Sequence, residues 1–243
     1  MVATSCGRDD TPMTRPEFCQ HYSERECSYA APACLVTDAD CMAARQAACA
    51  DRAQNEEAAQ RPFDPGNADA CLAKVSAVFG VLKEGLAIPA KDYQSLVEEC
   101  ARVFHGDAKA NDLCGVNADC SGTMVCDKGR CGTWRQVQPD TGCANIGEYC
   151  PQSYTCSRVS ETWFCATRPG LGAECSPEGA CLEDLRCDNG ICAARLGIGF
   201  ACQADGDCAT GFCEPFALKC GNDVRFADTS PACQAYQPTS AVP

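Results

Sequence analysis

Twenty-five cysteines among 243 residues constrain this chain more than any other feature. So high a frequency marks a disulfide scaffold. Bridges in such number persist only in oxidising surroundings, so the expected location is extracytoplasmic: the periplasm, the outer membrane or cell surface, or the exterior. Spacing separates bridges from metal ligands. Thiolate sites set two ligands a few residues apart, so that one short turn aims both sulfurs at an ion. No C-x-C, C-x-x-C or C-x-x-x-C occurs here, and the closest pairs, Cys126/Cys131, Cys187/Cys192 and Cys208/Cys213, have four residues between them. Only His21 and His105 could assist. The cysteines are therefore read as structural disulfides, with no metal and no cofactor. Without C-x-x-C the chain also lacks the motif of a thioredoxin-like redox enzyme.

An odd total requires one cysteine to do something other than pair within the chain. The opening stretch, Met1-Val-Ala-Thr-Ser-Cys6-Gly-Arg-Asp-Asp10, contains no complete export signal although the disulfides demand export. The expectation is a truncated start. Small residues before a cysteine, followed by polar and acidic ones, resemble the end of a bacterial lipoprotein signal, whose cysteine carries the lipid; Ala3 stands where leucine is more usual. Cys6 is thus the candidate lipidation site, and residues 1–15 read as an anchor and linker. Setting Cys6 aside leaves 24 cysteines for twelve pairs.

Charge removes other classes. With 33 acidic and 20 basic residues the net charge is −13, which repels phosphate backbones and anionic lipids, so no nucleic acid is expected as a partner. No run approaches the ~18 apolar residues of a membrane span, which leaves the lipid at Cys6 as the route to a membrane.

Residues 16–110 read as a disulfide-stapled α-helical domain. A short first helix is expected over Pro16–Cys27, with Cys19 and Cys27 eight apart. Thr37-x-x-Asp40 opens a second, running from Asp38 to about Ala59, with Cys41 and Cys49 again eight apart and so near one face. A third is expected from Asn67, with Cys71, Val75, Val78, Phe79 and Leu82 on one stripe and Gly85 ending it. The last, from Pro89, aligns Tyr93, Leu96, Val97, Cys100, Val103 and Phe104. The half holds seven cysteines, an odd number. Cys233, in the tail 221–243, is expected to bridge to one of them.

Residues 111–220 hold four units of four cysteines each, at 114–131, 143–165, 175–192 and 202–220. Arg168-Pro-Gly-Leu-Gly-Ala-Glu-Cys175 aligns with Arg195-Leu-Gly-Ile-Gly-Phe-Ala-Cys202, and Cys126-Asp-Lys-Gly-Arg-Cys131 with Cys187-Asp-Asn-Gly-Ile-Cys192. Asn189-Gly190 is a two-residue hairpin signal and Lys128-Gly129 a weaker one, so the third and fourth cysteines should flank a β-hairpin. Units this small cannot bury a core, and two disulfides must replace it. Of three possible connectivities the interleaved one is expected, first to third and second to fourth. The fold class is therefore small and disulfide-rich: a stapled helical domain followed by four short Cys-rich β-hairpin modules.

The spacing C-x5-C-x5-C with C-x-N-G-x-C, carried best by Cys175–Cys192, resembles the Dickkopf-type amino-terminal cysteine-rich region. It lacks that family's adjacent cysteine pairs and second domain, so the receptor-antagonist role does not carry over. As a whole the chain resembles the cysteine-rich surface lipoproteins of myxobacteria, which implies location and architecture more than activity. None of the seven asparagines lies in N-x-S/T, which favours a bacterial over a eukaryotic secreted source.

Module two carries the candidate binding residues Tyr149, Tyr154, Trp163 and Phe164, with Trp134 shortly before. Aromatics on so small a scaffold can anchor a partner or stack on sugar rings. Asp205-Gly-Asp207 and Asp38-Ala-Asp40 lack the ligand run of an EF-hand and read as turns. There is no nucleophile elbow, phosphate loop or zinc-ligand helix, and the two histidines lie far apart in the chain. The expected function is non-enzymatic: a lipid-anchored binding or structural protein meeting a protein or glycan at the cell surface. The alternatives are a subunit of an extracellular filament or envelope assembly, and a protease inhibitor.

Overall fold

A computed structural model describes residues 12–139, 141–159, 162–175 and 181–237. Cys6 and the end of the tail lie outside the described residues. Four long helices come first: α1 (Arg15–Cys34), α2 (Asp38–Ala58), α3 (Pro65–Phe79) and α4 (Ala90–Ala101), with the short strand β1 (Ile88–Pro89) ahead of α4. All 24 cysteines among the described residues are paired, in twelve disulfides.

Helix α1 runs seven residues past the expected end at Cys27. Thr14 and Glu17 form a reciprocal capping box at its start, and Ala30, Ala31 and Cys34 are buried in its added turns. Helices α1 and α2 form an antiparallel hairpin stapled twice, by Cys19–Cys49 and Cys27–Cys41. The equal spacing of eight on both helices is what lets two parallel rungs form, because residues about two turns apart share a face. Thr37 caps α2 through the Asp40 amide. Helix α3 begins earlier than expected: Asp64, not Asn67, accepts the capping hydrogen bond, and Pro65 occupies the first turn. Cys71–Cys100 ties α3 to α4. Val97, placed in the core stripe by its spacing, is instead 52% exposed, while Leu96, Cys100, Val103 and Phe104 are buried.

The modules are built on four hairpins: β2 (Val125–Asp127) with β3 (Arg130–Gly132), β6 (Tyr154–Val159) with β7 (Thr162–Thr167), β8 (Leu185–Asp188) with β9 (Ile191–Ala194), and β10 (Cys213–Glu214) with β11 (Lys219–Cys220). Between the first and second, β4 (Arg135–Gln136) pairs in parallel with β5 (Glu148–Tyr149). In every hairpin the third and fourth cysteines stand directly opposite each other, as in Cys126↔Cys131 and Cys187↔Cys192. The bridges are interleaved throughout, first to third and second to fourth.

One hydrogen-bond pattern recurs four times. The fourth cysteines, Cys131, Cys165, Cys192 and Cys220, donate their amides to Asp112, Thr141, Ala173 and Phe200. The first cysteines, Cys114, Cys143, Cys175 and Cys202, donate to Gly129, Trp163, Gly190 and Leu218. The chain entering each module thus lies along its hairpin as a third strand. Lys128-Gly129 and Asn189-Gly190 turn with positive φ at both positions. In modules one and four the aspartate before the second cysteine, Asp119 or Asp207, accepts two backbone amides and closes the preceding turn. Asp205 likewise accepts the Cys213 amide, so these acids serve as turn caps.

Both ends of the module array dock on the helices. At module one, Arg61 bonds Asp119 at 2.9 Å and the Gly106 amide donates to Ala118. At module four, Phe212 and Phe216 join the helical core, where Tyr93 meets both rings. The described part of the tail, residues 221–237, folds back on the helices. Its strand β12 (Asp223–Val224) pairs antiparallel with β1, and a short helix, α5 (Pro231–Gln234), follows. Cys233 in α5 bonds Cys34 of α1 across a separation of 199 residues. Beside it the buried Tyr236 hydroxyl donates to Glu26 at 2.8 Å, and Arg45 holds the same carboxylate at 2.6 Å. Helical domain, four modules and tail therefore form a closed circuit.

Candidate interaction site

Of the five aromatics, the structure brings two together on the surface. Trp134 and Tyr149 meet edge to face, with ring centroids 5.5 Å apart and planes at 85°. They remain 54% and 42% exposed. Their footing is rigid. The parallel pairing of β4 and β5 sets Trp134 just before Arg135 and places Tyr149 opposite Gln136. Arg135 and Val137 donate amides to Gly147 and Tyr149 at 2.8 and 2.9 Å. Gly147 adopts φ +77°, and a Cβ there would lie 2.1 Å from the Thr133 carbonyl oxygen. No other residue type fits that approach.

Below the aromatic pair lies a carboxylate that sequence reasoning missed. Glu148 is buried and accepts hydrogen bonds from the Asn145 side chain at 2.9 Å and the Asn145 amide at 3.0 Å. Arg135 pairs with it from the rim. The Asn145 side-chain bond leads, with Arg135 adding to it, in holding the carboxyl down at about 2. The pair leaves this ledge without net charge. The only hint in the sequence was an acid three residues after an asparagine, which is too common to single out.

The other three aromatics lie elsewhere. Strand register puts Tyr154 and Trp163 on the face of the second hairpin that carries Cys156 and Cys165, and Phe164 on the opposite face. Trp163 is partly covered by module one: the Lys128 ammonium sits 5.8 Å from its ring centre and donates to the Cys143 and Asn145 carbonyls at 2.7 and 3.0 Å. All three side chains are half-buried.

Both histidines have carboxylate neighbours. His105 uses both ring nitrogens, one 2.9 Å from the Gly106 carbonyl and the other 2.9 Å from Asp64, the cap of α3. Those bonds, the backbone one first, raise its pKa above the ordinary histidine range, while Asp64 is lowered, chiefly by His105. His21 meets Glu24, at 3.1 Å on the same helix. In each module three cysteine sulfurs lie within 4.8 Å of one another, the geometry of a thiolate trap, but all belong to disulfides. Among the described residues no helix is long and apolar enough to cross a membrane. No protein-family model, curated protein or solved structure matches the chain.

Proposed function

We propose that this protein is a non-enzymatic, disulfide-rich binding protein of the extracytoplasmic cell surface, held there by a lipid on Cys6. The Trp134/Tyr149 ledge carries the reading. Two large aromatic side chains stay in water on a frame fixed by backbone hydrogen bonds and two disulfides per module. Exposed aromatics on rigid footing lose little entropy on binding, and such residues dominate interface energies. The occupant on this reading is a protein or a glycan of the envelope. A histidine tied to the α3 cap and cysteines engaged in bridges favour a binding role over a catalytic one.

The test is a pull-down from native envelope together with a glycan array, run with wild type and with Trp134→Ala/Tyr149→Ala. The double variant should lose at least about tenfold in affinity for the captured partner, the scale of hot-spot truncation. Equal binding by both proteins would overturn the reading. Palmitate labelling in cells, absent in Cys6→Ser, tests the anchor separately.

A further inference from the structure

A second surface feature stands apart from the ledge. Where α4 meets module four the surface holds a groove of about 390 Å³, within the usual range for ligand clefts. Its floor is apolar: Val97, half exposed on an otherwise buried stripe, lies beside Tyr93 and Phe212. Its rim is acidic: Glu98 comes from the helix and Asp205 from the module. Neither acid meets a basic side chain among the described residues. Asp205 is held in place, accepting the Cys213 amide at 2.7 Å and the Gln94 side-chain amide at 2.8 Å.

We propose that this groove seats a cationic side chain, arginine above all, from a basic segment of a protein partner. A guanidinium is planar and weakly hydrated, so it lies on apolar and aromatic surface while its edge forks to carboxylates. The floor between Val97 and Tyr93 supplies the surface, and Glu98 and Asp205 supply the acceptors. The Tyr93 phenol, protonated at neutral pH even at its ordinary value near 10, is pushed further up to about 12 by burial and the Glu26 carboxylate, so the floor is uncharged. The net charge of −13 draws basic segments toward the molecule and turns anionic glycans and acidic peptides away.

The probes are acetyl-Ala-Arg-Ala-amide and its Glu analogue, titrated into ¹⁵N-labelled full chain and followed by NMR. With the arginine peptide the Gln94 side-chain amide and the Val97, Glu98 and Phe212 backbone amides should shift saturably together. The glutamate peptide should leave them unmoved. Glu98→Gln/Asp205→Asn should weaken binding at least fivefold. Asp38→Asn/Asp69→Asn, which removes the same charge elsewhere, should not. The Asp205→Asn change keeps an oxygen for the Cys213 amide, and Glu98→Gln alone, at an exposed site, serves if the double variant misfolds. Shifts scattered over the acidic surface, or equal weakening by both double variants, would overturn the proposal. Trp134→Ala should leave the titration unchanged, so failure of the ledge and failure of the groove are told apart.

Discussion

Replacing Cys34 and Cys233 by alanine probes the bridge that closes the molecule. The two cysteines are 199 residues apart, and the loop-entropy relation gives about 5 kcal/mol for a loop of that size. The other eleven bridges shorten the effective loop, but the dependence is logarithmic, and halving the loop removes only about 0.6 kcal/mol. Both sulfurs are buried, so truncation adds a small packing loss. Helix α5 has four residues, too few to persist alone, and besides the Ser230 cap and the Tyr236–Glu26 hydrogen bond it is tied by the burial of Ala232 and of Tyr236, which packs on Phe226 and Arg45. The double variant should lose about 3–5 kcal/mol in non-reducing guanidinium unfolding followed by circular dichroism. Hydrogen exchange should show residues 230–237 losing protection first, because their anchorage is local to this bridge. A loss under about 1 kcal/mol with those amides still protected would refute the reasoning, since it would mean that burial, not the crosslink, holds the tail.

Three other perturbations test separate contacts. Arg45→Met strips the buried Glu26 of its cation and should cost about 3 kcal/mol; adding Glu26→Gln should recover part of that, and no recovery would contradict an unpaired charge as the cause. His105 has its pKa raised in the folded state, so its contribution is full below the ordinary value of 6.5 and fades as pH rises through the higher folded value. Urea midpoints measured from pH 6 to 9 should therefore fall for wild type and less for His105→Gln, and parallel curves would count against the Asp64–His105 cap. Gly147→Ala forces a Cβ against the Thr133 carbonyl at positive φ, so it should cost at least about 1–3 kcal/mol and shift the Trp134 fluorescence.

Much of the architecture was legible because cysteine spacing reports geometry directly. The spacing of eight in Cys19/Cys27 and Cys41/Cys49 is the ladder of the α1–α2 hairpin. Asn189-Gly190 marks its own turn through the φ it requires. The seventh helical-half cysteine required a partner elsewhere, and Cys34 finds it in the tail. What stayed hidden depends on contacts between distant segments. Periodicity put Val97 in the core, because a helical stripe says which residues share a face but not where the neighbouring surface ends. The five aromatics clustered in sequence part company in space, because residues 163 and 164 on a strand must face opposite ways. Asp64 caps α3 ahead of Pro65, but the nearby Asn67 offers an equally good capping side chain, and local sequence does not choose between the two. The groove between α4 and module four joins residues more than a hundred positions apart, beyond the reach of any local pattern.

The circuit closed by Cys34–Cys233 makes the array a covalent macrocycle. A protease that cut the chain once between two modules would separate nothing. Both halves would stay bonded through the helical domain, and each module would keep its own two cystines. Extracytoplasmic surroundings are rich in proteases, and a molecule built this way outlives its first cleavage with its scaffold still connected. Release of a fragment takes a second cut or a reductant.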